Sequence, residues 1–236
     1  APITYLGADS SRGHDGQQHL SGDLDATLND NSWLGADGRE AVREHESGGA
    51  TVTTHGNGIH HAAEGHIQRG DTTYTIHDYQ LDDSETHLTL LGNAPINGMG
   101  NSRDNHLSGN AQANILNGGA GNDELDGGYG TDTLTGGAGA DTFTFSSKTD
   151  GKNIDHITDF RAAEGDKIRL SDIIFDQLEG SWFSADGETA NHATRILQRG
   201  DTLYYDADGS GSHYQPSAFA RLEDGVHLEQ QHFLIG

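Results

Sequence analysis

Three aspartates, Asp123, Asp132 and Asp141, recur at nine-residue intervals, each at the end of the frame G-G-x-G-x-D. The full repeat runs without a gap from Gly118 to Thr144 as GGAGNDELD, GGYGTDTLT and GGAGADTFT. A carboxylate held beside tight glycine turns is oxygen-donor chemistry. Glycine supplies the positive φ angles that other residues resist, and such turns aim backbone carbonyls at a common point. Calcium takes about six to eight oxygen ligands from carboxylates and carbonyls of this kind. The spacing is the signature of a calcium-bound parallel β-helix, or β-roll. The candidate calcium residues are Gly119, Gly121 and Asp123, then Gly128, Gly130 and Asp132, then Gly137, Gly139 and Asp141.

The elements that position these loops are short strands. The last three residues of each repeat put Leu125, Leu134 and Phe143 at one position, where an apolar side chain points inward. Two nonapeptides complete a coil, so each loop stacks on the loop two repeats later, with an ion between them. Without the ion the carboxylates repel, and the strands bury too little apolar surface to offset chain entropy. A flexible glycine-rich linker has no reason to keep aspartate and leucine in phase over three repeats.

Two further nonapeptides, 100–108 and 109–117, precede the three in the same phase. They keep Leu107 and Leu116 but carry Asn105 and Asn114 in place of aspartate, and they lack the second and third glycines. They are expected to stack sterically and to bind calcium weakly or not at all, as atypical terminal repeats of a solenoid do. Loops 100, 118 and 136 would line one edge and loops 109 and 127 the other. Asn114 then enters a half-consensus pairing with loop 127, Asp159 is placed to contribute to the last loop, and two to four ions are expected. Farther on, Asp206 and Asp208 open a D-x-D-G-x-G stretch like the front of an EF-hand loop. The twelfth position is Ser217 rather than glutamate, so an acidic β-turn is at least as good a reading.

Composition bounds the rest. The 236 residues carry 37 acidic against 13 basic side chains, a formal net charge of −24. That argues against nucleic acid and anionic membrane surfaces as partners. An apolar fraction of 32% leaves little for a large conventional core, so metal is expected to supply part of the stability. No cysteine is present, which excludes disulfides and thiolate metal sites. An acidic, cysteine-free chain with calcium loops suits an extracellular setting, where free calcium is high. No apolar run reaches transmembrane length. No signal-peptide pattern stands at Ala1, and the Ala1-Pro2 start reads as a trimmed end or an internal domain boundary.

Residues 1–92 read as a mostly β region. Alternation predicts strands over 50–55, 71–77 and 86–91, and a short helix is expected over Asp37 to Glu46. His55, His60, His61 and His66 cluster near Glu64. A transition-metal site would use such residues, but the spacing is not H-E-x-x-H, and solvated surface histidines are the stronger reading. Arg69-Gly70-Asp71 reads as a turn. Ile67–Tyr74 and Leu197–Tyr204 echo one another as IQRGDTTY and LQRGDTLY, each a strand, a glycine turn and a second strand. After Phe145, strands over 155–160 and 166–172, with Ile157, Ile168 and Leu170 inward, should continue and cap the roll. A last apolar strand lies in 229–236.

The succession of nonapeptides, GADTFTF (139–145), HITDF (156–160), GDKIRLSDI (165–173) and LYYDADGSG (203–211) resembles the C-terminal region of repeats-in-toxin (RTX) proteins. It is similar to the calcium-binding domain of serralysin-type proteases and to the R-modules of mannuronan C5-epimerases. The resemblance covers residues 84–236 and implies a right-handed parallel β-roll over 93–145 and capping strands with a secretion address over 146–236. With the mostly β region 1–92, for which no family is recognised, the chain is expected to be all-β. The resemblance also implies folding on calcium after type I secretion. No metalloprotease or lipase motif occurs, so a non-catalytic module is expected. The R-module likeness raises a second reading, a polysaccharide-binding module. An anionic polymer would use cations such as Arg103, Lys148, Lys152, Arg161, Lys167, Arg169 and Arg199. A neutral glycan would use Trp33, Trp182, Tyr204 or Tyr205. A third reading, an enzyme in 1–92, has no constellation of recognisable spacing.

Overall fold

The computed structural model describes residues 66–176, 178–185, 194–207 and 215–236, together with the backbone of three strands before them. Those three are β1 (Glu40–Glu44), β2 (Ala50–Thr54) and β3 (Ile59–His60). The expected helix over 37–46 is instead β1, paired antiparallel with β2 in five rungs from Glu40↔Thr54 to Glu44↔Ala50. The EAVRE composition leans helical, but five consecutive rungs against the β-branched ATVTT partner outweigh a weak local propensity.

The strands that follow build two sheets. They are β4 (His66–Arg69), β5 (Thr72–Thr75), β6 (Tyr79–Gln80), β7 (His87–Leu90), β8 (Gly98–Met99) and β9 (His106–Ser108). Then come β10 (Ile115–Ala120), β11 (Glu124–Asp126), β12 (Thr133–Ala138), β13 (Thr142–Phe145), β14 (Asp155–Ile157) and β15 (Lys167–Leu170). The last are β16 (Phe183–Ser184), β17 (Ile196–Arg199), β18 (Thr202–Tyr205), β19 (Ser217–Arg221) and β20 (Phe233–Ile235). Through the repeat, successive strands alternate between the sheets, and every strand pairs in parallel with the one a coil away. This is a parallel β-roll. Its parallel ladder crosses residue 92 and reaches back to Thr72, through β5 on β7 and β6 on β8.

The core is two columns of side chains. In one sheet Leu88, Leu107, Leu125, Phe143, Ile168 and Phe233 stack in register. In the other the column is Leu116, Leu134 and Ile157, with Gly98 at its head. All are buried. A Cβ on Gly98 would press on the side chain of Leu88 at 2.8 Å, so a larger residue there would have to displace that side chain in the core. Burial of each such aliphatic side chain contributes roughly 1.5–3 kcal/mol.

The two echoed segments are hairpins, as their sequence predicts. β4 and β5 turn at Gly70 (φ 66°), and β17 and β18 turn at Gly200 (φ 62°). The first closes the N-terminal side of one sheet's parallel ladder. The second lies beyond the C-terminal side of the other's, where β18 pairs antiparallel with β19. Arg69-Gly70-Asp71 is therefore a hairpin turn. Beyond the repeat the core widens into aromatics: Phe175 meets Tyr205 and Phe219 edge-on, each at 5.0 Å between centroids. Phe145 meets Phe219 at 5.2 Å.

Candidate metal centre

Each consensus loop turns through two positive-φ glycines: Gly119 and Gly121, Gly128 and Gly130, Gly137 and Gly139. Here glycine is required twice over. A Cβ on Gly137 or Gly139 would overlap the carbonyl oxygens of Gly119 or Gly121 one coil earlier. Successive loops thus pack backbone on backbone, with carbonyls lying between them. The first glycine of each repeat leaves space for the aspartate. A Cβ at Gly118, Gly127 or Gly136 would collide with Oδ2 of Asp123, Asp132 or Asp141.

The aspartates form two ladders along the edges. On one edge the N–H of Asn105 donates to Asp123 Oδ1 at 2.7 Å, that of Asp123 to Asp141 Oδ1 at 2.9 Å, and that of Asp141 to Asp166 Oδ1 at 2.9 Å. On the other, the N–H of Asn114 donates to Asp132 Oδ1 at 2.7 Å and that of Asp132 to Asp155 Oδ1 at 3.0 Å. Oδ1 is satisfied throughout. Oδ2 of Asp123, Asp132 and Asp141 is buried and has no hydrogen-bond partner.

That arrangement disfavours the charged form. Burial pushes the Asp123 carboxyl up to about 7 and the Asp141 carboxyl up to about 6. Neighbouring acids add to this, and the backbone donors oppose it. Burial also raises Asp132 and Asp155, which sit against one another. A buried carboxylate oxygen without a donor costs on the order of 1–3 kcal/mol or more. A hard cation held by these oxygens and nearby carbonyls removes that cost, so the residues fit calcium. Among the described residues no three histidine, aspartate or glutamate side chains converge into a metal-holding group. The donors available in the loops are backbone carbonyls with a carboxylate.

Asp155 and Asp166, which sequence reasoning missed, continue the two ladders. Their signal was the D-x-apolar triplet, Asp155-His-Ile and Asp166-Lys-Ile, matching Asp123-Glu-Leu. Asp159 meets loop 136–141, where its two oxygens accept from the N–H groups of Gly136 and Gly137, both at 2.9 Å. Arg161 stands beside it at 3.5 Å and donates to the Gly137 carbonyl. Asn114 is fully engaged, its Oδ1 by the Asn110 N–H and its Nδ2 by the Ile96 carbonyl at 2.6 Å. Asp206 is buried at the end of β18, while Asp208 lies outside the described residues.

The histidine cluster is not assembled within the described side chains. His66 lies against Tyr79, ring centroids 4.6 Å apart, and His60 falls on β3. His55 and His61 lie outside the described residues. Of the aromatics considered for a glycan, Trp182 and Tyr205 are core residues, Arg199 sits over the ring of Tyr204 at 5.4 Å, and Trp33 lies outside the described residues. Of the cations, Arg103 bonds the Asp83 and Ser84 carbonyls, Lys167 bonds the Gln231 carbonyl and Arg169 pairs with Glu124.

Residues 99–128 and 126–144 match a family described as the RTX calcium-binding nonapeptide repeat (4 copies). No curated protein matches the chain. The roll thus contains an RTX calcium-binding repeat domain, a non-catalytic type of module, and such repeats bind calcium ions. Among the described residues no helix is long and apolar enough to cross a membrane.

Proposed function

We propose that this chain is a calcium-triggered folding module of a secreted protein, with Asp123, Asp132 and Asp141 and their loop glycines as the calcium residues. The observation that carries this reading is that each of the three consensus loops holds a buried carboxylate oxygen without a donor. One ion for each gives three, within the two to four expected from the repeat. Bound calcium supplies the positive charge that these oxygens otherwise lack. The glycine loops aim the carbonyls, and the Oδ1 ladder holds each carboxylate in one orientation. Because a site exists only where two coils stack, ligand binding and folding are one equilibrium. A ligand at a hundred times its Kd stabilises by about 2.7 kcal/mol per site, so three independent sites contribute about 8 kcal/mol. That is comparable to the whole stability of an ordinary domain, about 5–15 kcal/mol. Low calcium inside a cell therefore keeps the repeat open, and high calcium outside closes it. Support for export by a type I system, and for an attached domain, comes from the resemblance of the C-terminal region to such substrates.

The test is a calcium titration of the full chain followed by circular dichroism, with ion stoichiometry from equilibrium dialysis. Three ions and a calcium-dependent gain of β signal are expected. Full β signal in chelator, with no ion retained, would refute the reading.

A further inference from the structure

The two loops before the consensus repeats follow the same path but place an asparagine at the second position. Asn101 stands where Gly119 and Gly137 stand, and Asn110 stands where Gly128 stands. Both side chains point into their loops and make the same bonds. Asn101 Oδ1 accepts from the Arg103 N–H at 2.9 Å and from Asn105 Nδ2 at 3.1 Å. Asn110 Oδ1 accepts from the Gln112 N–H at 2.9 Å and from Asn114 Nδ2 at 3.1 Å. The Nδ2 groups reach back to the preceding coil. Asn101 donates to the carbonyls of Asp82 at 2.5 Å and Glu85 at 2.8 Å. Asn110 donates to those of Leu91 at 3.3 Å and Ala94 at 2.9 Å.

An amide group between two loops does what a cation would do there. It presents positive hydrogens to carbonyl oxygens that converge on it, and it brings no net charge that must be balanced. The sixth position agrees. Asn105 and Asn114 are neutral and place both ends of the amide, whereas the aspartates of the later loops leave one oxygen without a donor. The two asparagine loops lie on opposite edges of the roll, so the pattern occurs twice independently. The coil beneath them is also closed without metal. Glu85, buried, accepts from Thr73 Oγ1 at 2.5 Å, from the Asp82 N–H at 2.8 Å and from the Tyr79 hydroxyl at 3.1 Å.

We propose that loops 100–105 and 109–114 are metal-free by construction, their asparagine amides standing where calcium stands in later loops. The coils up to Asn117 then fold in calcium-free solution and offer β9 and β10 as a finished edge on which the calcium loops assemble. This rests on the calcium reading above and adds to it the direction of assembly, from the asparagine loops outward.

Hydrogen exchange of the full chain, read by mass spectrometry in chelator and in millimolar calcium, tests it. In chelator the amides of β7, β9 and the start of β10 should exchange at least tenfold more slowly than those of β11, β12 and β13. In calcium both sets should be slow. Equal exchange of the two sets in chelator overturns the inference. If both are slow and calcium adds nothing, the calcium reading falls with it. If both are fast and calcium slows both, only the metal-free nucleus is lost. The double variant Asn101→Asp/Asn110→Asp turns the donors into acceptors at nearly constant shape. It should lose the slow set in chelator, by tenfold or more, and regain it in calcium. A variant that exchanges like the parent in chelator also overturns the inference.

Discussion

Loops 109–114 and 127–132 occupy the same edge of the roll, one coil apart, and differ in how they fill the space between coils. The first holds an asparagine amide at its second position and another at its sixth, every polar atom of the Asn114 side chain engaged. The second has glycine and aspartate there and leaves Asp132 Oδ2 buried without a donor. Their apolar contribution is the same, since Leu116 and Leu134 pair in register and are fully buried. The backbone path and the hydrophobic column therefore do not decide whether a coil depends on metal. Two side-chain positions are what differ. On the proposal above, a loop with its own donors folds without calcium. A loop that lacks them has gained a switch by giving up a hydrogen-bond partner.

The contrast breaks most severely at a loop glycine. Gly137→Ala forces a Cβ onto the Gly119 carbonyl at a φ of 105°. The Gly119 atoms it meets are backbone and cannot rotate away. A loss of about 2–4 kcal/mol is expected in chemical denaturation with calcium present. A change below about 0.5 kcal/mol would show that the loops do not stack as described.

Asp132→Asn sharpens the comparison, because it gives loop 127–132 the sixth residue of loop 109–114. Calcium binding should weaken, with the folding midpoint moving at least tenfold upward. The calcium-free form should gain stability, because a buried carboxylate with a raised pKa has been removed. Both signs matter: a variant weaker in calcium and also weaker without it would mean that Asp132 serves packing alone.

Acidity separates the two kinds of loop more gently. The folded, metal-free carboxyls of Asp123 and Asp141 titrate near 7 and near 6, above the ordinary value of 3.8. A raised folded pKa favours the folded state when protonated. That contribution is fully present below about pH 4 and is lost as pH rises through 6 to 7. Calcium needs the ionised form, so its apparent affinity should rise over the same interval. Without calcium, the β signal of the consensus coils should be larger at pH 5.5 than at pH 8. With calcium the order should reverse. A calcium affinity unchanged across this range would contradict the burial of these two groups. The smallest effect belongs to the outer face: Arg169→Ala removes a half-exposed ion pair with Glu124 and should cost less than about 1 kcal/mol. Thermal denaturation in calcium would measure it.

The consensus coils were legible because one period carries two signals at once, the aspartate and the inward apolar residue. The register Leu107–Leu125–Phe143 follows directly from it. The hairpin echo was legible for a similar reason, since glycine in a short repeated frame marks the turn. What followed Phe145 was harder. The ladder partner of Asp132 lies 23 residues on and that of Asp141 lies 25 on. Longer connections hide Asp155 and Asp166 from any search at constant period. Asn101 and Asn110 were read as degenerate positions because composition shows what is missing from a consensus. It does not show that a side chain now fills the space. At Glu40–Glu44 a helix-leaning composition pointed the wrong way, since the strand opposite it outweighed local preference.

The shared register of the coils also has a mechanical consequence. Each coil of the roll is joined to the next by short runs of parallel rungs in both sheets. Tension applied along the chain would load only the outermost rungs, so the roll should unwind like thread from a spool. A coil of two nonapeptides, drawn out at roughly 3.3–3.6 Å per residue, lengthens the thread by about 60 Å. Calcium bound between the consensus coils would raise the force at which each of them lets go.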